Sequence, residues 1–273
     1  MRLRLGGPSA RAWWVAAPLL ALAGAGIVAP FAWRSAAALA GCWQDGGCAE
    51  VLQPYYLDAL LNTLGLSTLS TLLALPPALG LCALLAPRTR LHGPAAWLAN
   101  LGANFAGVPL ALAFTLLFGV QGVVTQLLGF APLRLEGTSG LLAAYLCFQL
   151  PLATLLLLAP VALLDAQLEE AAATLGAGRA RYWRRVALPL LAPSLVEVAV
   201  LLFANAAAAF ATPFALAGGS ADVLAVRLSS LVSGDLFADP RLPALLALML
   251  FGLLALALLA GRWLGRRLAR AAA

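Results

Sequence analysis

Six apolar blocks punctuate the chain, at about residues 12–33, 57–86, 94–117, 139–164, 192–217 and 242–264. Each reaches or exceeds the ~20 residues that a helix needs to cross the hydrocarbon core of a bilayer. Such a pattern excludes a soluble globular fold, because no water-exposed surface of this size could hide six continuous apolar segments. Only 10% of the 273 residues are charged and 63% are hydrophobic, where a soluble domain carries roughly a quarter charged residues. The expectation is an all-α polytopic membrane protein, one transmembrane domain over 1–273, with six spans and a polar stretch at 165–191 between the fourth and fifth. Pro76, Pro77, Pro151 and Pro160 lie inside the blocks. Neighbouring helices can re-satisfy the backbone groups that prolines free, so the spans are expected to pack as a bundle. The first block is long for a signal-peptide core and is read as an uncleaved span.

The arginines set the expected orientation. All 17 basic residues are arginine. With both termini inside, thirteen fall in inside segments (2, 4, 11, 88, 90, 179, 181, 184, 185, 262, 266, 267 and 270) and four outside (34, 134, 227 and 241). The positive-inside rule therefore assigns both termini and the 165–191 stretch to the cytoplasm. Because the arginines lie in short flanks beside apolar blocks, the basic balance marks topology and not nucleic-acid binding.

Several chemistries are excluded. A phosphate-cradling loop ending in Lys-Ser/Thr cannot exist without lysine, so any ATP hydrolysis must come from a partner, and the chain is not read as an enzyme. His92 stands in an arginine-flanked turn with no Cys, Asp or Glu at ligand spacing, and no metal or cofactor is expected. Cys82 and Cys147 fall within apolar blocks as small packing residues. Cys42 and Cys48 share the polar segment 34–56, assigned to the outside, where a disulfide and two free thiols are both open. Glu197 is the one acid placed at or inside a membrane boundary, either paired with an arginine of the 165–191 stretch or acting in transport.

Asp165 to Pro193 reads DAQLEEAAATLGAGRARYWRRVALPLLAP. Acids precede a run of alanines, good helix formers, and Gly176 or Gly178 can end the helix. The alanine face allows close approach to another backbone. Arg179 to Leu191 reads as a second helix along the membrane surface, with Tyr182 and Trp183 at headgroup level and a turn into the fifth span at Pro189 and Pro193.

Glu170-Ala171-Ala172, Gly176 and Val186-Ala187-Leu188-Pro189, at these offsets, resemble the EAA loop of binding-protein-dependent ABC transporter permeases, the MetI-like inner-membrane components. The likeness runs from about Asn62 to the end; Val186 stands where isoleucine is commoner. The resemblance implies a bacterial inner-membrane permease subunit whose coupling residues are Glu169, Glu170, Ala171, Ala172, Gly176, Leu188 and Pro189. They would dock on a cytoplasmic ABC ATPase dimer, beside a second permease subunit, expected to be a paralogue, with a periplasmic solute-binding protein delivering the cargo. Thr212-Pro213-Phe214-Ala215-Leu216-Ala217-Gly218-Gly219 is similar to a pattern of the spermidine/putrescine group, which makes a polyamine the first expected cargo; importers of thiamine, ferric iron and phosphonate share much of it. Asn62, Asn104, Gln149 and Asn205 are polar at membrane depth, as path-lining groups or as interhelical hydrogen-bond partners. An ion-coupled secondary transporter is the alternative of another class, and it would be expected to carry paired intramembrane ionisable residues.

Overall fold

In the computed structural model the described residues are 24–45, 48–85, 92–128, 135, 137–164, 166–234 and 241–272. They form helices joined by short turns, with no strand among them. A π-helical turn over Gly24–Val28 leads into α1 (Ala29–Asp45), followed by α2 (Cys48–Val51), α3 (Pro54–Leu84), α4 (His92–Asn104), α5 (Val108–Phe118), α6 (Val123–Leu128) and α7 (Thr138–Ala162). Next come α8 (Ala166–Thr174), α9 (Arg179–Tyr182), α10 (Leu188–Ala207), α11 (Ala211–Ala217), α12 (Leu224–Gly234) and α13 (Arg241–Ala272). Five helical stretches are long and apolar enough to cross a membrane: Pro54–Leu84, Val108–Leu127, Thr138–Ala162, Arg179–Ala207 and Arg241–Arg270. A sixth is counted if α11 and α12, bent by 69° against each other, make one broken span. Most of the first apolar block, 12–33, lies outside the described residues.

The bundle is built on α3. Its buried residues include Ala59, Thr63, Ser67, Ser70, Ala74, Ala78 and Cys82, recurring every three or four positions and so forming one stripe down the helix. All are small, which lets α7 and α10 lie close against it, as small residues do between membrane helices. Ala78 and Cys82 share a core with Ala153, Leu157 and Val161 of α7 and Leu191, Val198 and Leu202 of α10. Leu66 joins Leu141, Tyr145 and Phe148 of α7 in a second core. Prolines 76, 77, 151 and 160 sit inside α3 and α7 without ending them. Cys82 is buried, its thiol donating to the Thr154 carbonyl at 3.4 Å; Cys147 is exposed.

Helix α4 packs on α7 through Gly102, where an added Cβ would stand 2.8 Å from Pro151 Cγ and 2.9 Å from its Cβ. The ring cannot swing away. Gly102→Ala is therefore expected to push the helices apart and cost ~1–3 kcal/mol, the usual range for overpacking. Thermal unfolding of the purified variant in detergent checks it; an unchanged midpoint would show that the contact is slack.

Three local features depart from the expected layout. The polar segment 34–56 carries helix, because the Ala-rich run after Pro30 keeps α1 going to Asp45. The third block breaks after Asn104 and resumes at Val108, through Gly107 at φ 79°. The fifth block divides: α10 ends at Ala207 and α11 begins at Ala211. The two breaks meet in space, since the Gly107 backbone N–H donates to the Thr212 hydroxyl at 3.0 Å.

Candidate coupling surface and transport elements

The segment after α7 forms a helical finger. Glu169 occupies the first turn of α8, where a carboxylate complements the positive end of the helix dipole. At the other end the Gly176 N–H bonds to the Ala173 carbonyl and the Ala177 N–H to the Ala172 carbonyl, both at 2.9 Å. This is a Schellman closure, and it requires the left-handed backbone that Gly176 adopts at φ 77°. From Gln167 to Ala180 only Ala172 and Ala177 are even half-buried. These are the two positions where a Schellman turn closes on itself, so everything else on the finger faces outward. Glu169, Glu170 and Ala171 are exposed, and Leu175 at the turn keeps 87% of its surface. The Glu169–Arg179 pair, 3.8 Å apart and more than half exposed on both sides, adds little holding force.

Arg179 begins a helical stretch that continues to Ala207. Sequence reasoning places a turn at Pro189 and Pro193; the structure carries the helix through both. Pro189 falls in the first turn of α10, directly after a π-helical turn over Trp183–Ala187. A wider turn accommodates a residue that offers no N–H and whose ring crowds the preceding turn. Leu188 is half-buried and Pro189 exposed, whereas Tyr182 and Ala187 are buried. The coupling candidates thus divide into the exposed finger (Glu169, Glu170, Ala171, Ala172 and Gly176) and the root of a long helix (Leu188 and Pro189).

The polar candidates in the bundle go to separate places. Asn62 donates to Asp222 at 3.0 Å. Buried Gln149 donates to Ser70 at 3.0 Å, in the manner of interhelical hydrogen-bond partners. Asn104 is exposed and bonds back to Asn100, to the carbonyl and the side-chain oxygen, each at 2.9 Å. Asn205 is exposed on α10. No hydrogen bond joins any two of the four among the described residues. The side chains of Cys42, Cys48 and His92 lie outside the described part, as does Asp165. Glu197 is exposed and makes no ion pair with the arginines of the 165–191 stretch, whereas Glu169–Arg179 and Asp222–Arg227 are paired.

The second of these pairs is a feature that sequence reasoning leaves in a loop. Asp222 accepts from Arg227 Nη2 at 3.1 Å and Nε at 3.3 Å, besides Asn62. The Arg227 guanidinium also lies 4.1 Å from the centre of the Tyr55 ring, a cation–π distance. Near it, Thr63 accepts from the Leu224 N–H at 2.9 Å. Together they clamp the α11–α12 bend to the Pro54 end of α3. The opposite end of α3, at Ala83 and Leu84, borders Arg179, Ala180 and Trp183, so clamp and finger occupy opposite ends of one helix.

No protein-family model matches the sequence. The chain is 28% identical over 163 residues to the ferric transport system permease protein FbpB of Actinobacillus pleuropneumoniae, covering 58% of this chain and 24% of that protein. It is 32% identical over 217 residues to the thiamine transport system permease protein ThiP of Escherichia coli K12, covering 76% of this chain and 38% of that one. The chain therefore spans only about a quarter to two fifths of the length of these relatives. A chain of a bacterial ABC transporter involved in the import of the acidic polysaccharide alginate superposes with a TM-score of 0.73, over 94% of this chain and 96% of that one, at 16% identity. The same fold recurs in an alginate transporter crystallised with a pentasaccharide-bound periplasmic protein, at a TM-score of 0.73 and 18% identity. The sequence relatives are thus ABC transporter permeases, and the fold is one that an ABC importer uses.

Proposed function

We propose that the chain is a membrane-spanning permease subunit of an ATP-driven ABC importer in a bacterial inner membrane, with α8 as the helix that docks on the ATPase. The observation that carries this reading is the exposed finger at 166–178, held in shape by its own Schellman turn and carrying the EAA-type residues. An exposed Leu175 beside an alanine face is costly to leave in water and suits a partner's groove. The ATPase dimer, a second permease subunit and a periplasmic binding protein complete the assembly in this reading, with both termini on the ATPase side. ATP hydrolysis belongs to the partner.

For the cargo, the ferric and thiamine relatives favour those importer classes over the polyamine group first expected from the Thr212–Gly219 stretch. That stretch has a structural use which needs no polyamine: Thr212 is the acceptor that binds the break at Gly107. An ion-coupled carrier is disfavoured, since it would be expected to carry paired intramembrane ionisable residues, and Glu197, the acid read as at or inside a membrane boundary, has no ionisable partner among the described residues.

Glu170→Lys tests the reading. It reverses an exposed charge that has no partner to lose among the described residues, so insertion and thermal midpoint are expected to stay unchanged. ATP-dependent uptake by the assembled complex is expected to fall about tenfold or more, the effect of ~1.4 kcal/mol at a contact surface. Unchanged uptake would remove α8 from the coupling role.

A further inference from the structure

A cleft opens between α3 and α13 where both lean on α10. Near the other end of α13 the two helices meet, and Tyr56 shares a core with Leu246; from there they part. Gly261 packs directly against the Val200 side chain, and a Cβ on Gly265 would stand 3.9 Å from the Pro193 carbonyl oxygen, so α13 is held to α10 along a close seam. Beside that seam lies a cavity of about 370 Å³, walled by Thr71 and Leu72 of α3, Val200 and Phe203 of α10, and Ala260 and Leu264 of α13. On α13 it runs from Ala257 to Leu264, seven residues or ~10 Å along the axis. A helix with its side chains is ~10 Å across and would take about 800 Å³ over that length. The cleft is too narrow to seat one, whereas a single extended apolar chain fits.

Charge gathers at one end of this cleft. Its α13 residues recur every three or four positions, and the next turn of that stripe carries Arg267, six residues or ~9 Å beyond Gly261. Arg267 is exposed, has no ion pair among the described residues, and holds its guanidinium 3.7 Å from the centre of the Trp263 ring. Stacking fixes the plane of the guanidinium and leaves its N–H edge free for a phosphate. Arg262, Arg266 and Arg270 are exposed around it, so this end of α13 is cationic and stands at the membrane boundary. Glu197 belongs to the exposed stripe of Leu190 and Leu201 on α10 and not to the cleft wall. Deeper in, Thr71 is 5% exposed and its hydroxyl has no hydrogen-bond partner among the described residues. The Ser67 carbonyl, which a helical threonine at this position could use, already accepts from Ser70. We infer that the cleft binds one anionic phospholipid. Its phosphate sits on Arg267, an ester carbonyl accepts from the Thr71 hydroxyl after a χ1 rotation, and one acyl chain lies between α3 and α13. Headgroup and interface occupy ~5–8 Å per leaflet, close to the drop from Arg267 to the level of Gly261. The site is defined by the cleft and its charge and does not depend on the importer reading.

Native mass spectrometry of the purified full chain and of the assembled complex tests this, with palmitoyl-oleoyl phosphatidylglycerol, phosphatidylcholine of the same chains, or inorganic phosphate added before release from detergent. One phosphatidylglycerol is expected to stay bound per chain, about tenfold more tightly than phosphatidylcholine, as one charge-assisted contact provides. Arg267→Gln is expected to erase that preference. Ala260→Phe, which fills the cleft from an exposed position, is expected to lower phosphatidylglycerol binding about tenfold through the lost apolar contact, and Thr71→Val about threefold through the lost hydrogen bond. An unchanged thermal midpoint in lipid-free detergent verifies that each variant keeps its fold. Equal binding of the two lipids overturns the anionic assignment. Loss with Arg267→Gln but none with Ala260→Phe would put the headgroup on the arginines with no chain in the cleft, and displacement of the lipid by inorganic phosphate would make this a free-phosphate site; either result overturns the proposal. So does a lipid held by the isolated chain yet missing from the assembled complex, since a partner subunit would then cover the cleft.

Discussion

Gly176→Val is expected to uncouple the protein: ATP-dependent uptake falls about tenfold or more while membrane insertion and thermal midpoint stay at the original level. The cost is purely conformational. No atom lies within 4 Å of a Cβ added at position 176, but φ 77° places that Cβ against its own carbonyl, at ~1–2 kcal/mol for an ordinary side chain and more for a β-branched one. Relieving the strain opens the Schellman turn and frees the Ala172 and Ala173 carbonyls, so Gly178 and Arg179 no longer leave α8 in the same direction. Because α8 has little tertiary support and its Glu169–Arg179 pair is exposed, the turn is what chiefly holds that direction. Asparagine tolerates the left-handed region better than alanine does, so uptake is expected to decline in the order Gly176, Gly176→Asn, Gly176→Ala, Gly176→Val. Equal uptake across the series would show that the finger's exit geometry is irrelevant to coupling.

The second large effect is expected at Asp222. Asp222→Ala removes the acceptor for Asn62 and for two Arg227 nitrogens at once. The Arg227 side chain, only 16% exposed, is left with the Gly219 carbonyl at 3.4 Å and the Tyr55 ring. Stranding a charged donor costs ~1–3 kcal/mol or more. Asp222 is itself 40% exposed, so solvent screening keeps the figure near ~2 kcal/mol. A lower thermal midpoint of the purified protein is the readout. Asp222→Ala combined with Arg227→Met is expected to recover part of the loss, since the stranded charge is gone; a double variant whose loss is the plain sum of the two singles would show that the pair does not act as a unit.

The residues differ in how openly they announce these roles. The spans of the bundle are legible because a bilayer imposes composition, and no soluble fold competes for blocks such as 139–164. The α8 finger is legible too: acids, alanines and then glycine are a local code for start, body and stop of a helix. The breaks at 105–107 and 208–210 are not. Both interrupt apolar sequence, and what stabilises them is a contact between Gly107 and Thr212, 105 positions apart, which no local pattern encodes. Asp222 and Arg227 read as loop charges for the same reason, since their partners Asn62 and Tyr55 come from α3, Asn62 standing 160 positions before Asp222. The helical reading of Arg179–Leu191 is correct, but the turn at Pro189 is not: the π-helical turn that makes room for a proline depends on five residues sharing one geometry, and no single residue signals it.

That uninterrupted passage from Arg179 to Ala207 gives the molecule a lever. The stretch is 29 residues long, about 43 Å at 1.5 Å per residue. The helix continues through its π-helical turn and both prolines, and tilting it as one body by about ten degrees around its centre would swing its two tips by about 4 Å in opposite directions. In the importer proposed above, a push received at the finger's root would reach the far tip of this helix inverted in direction.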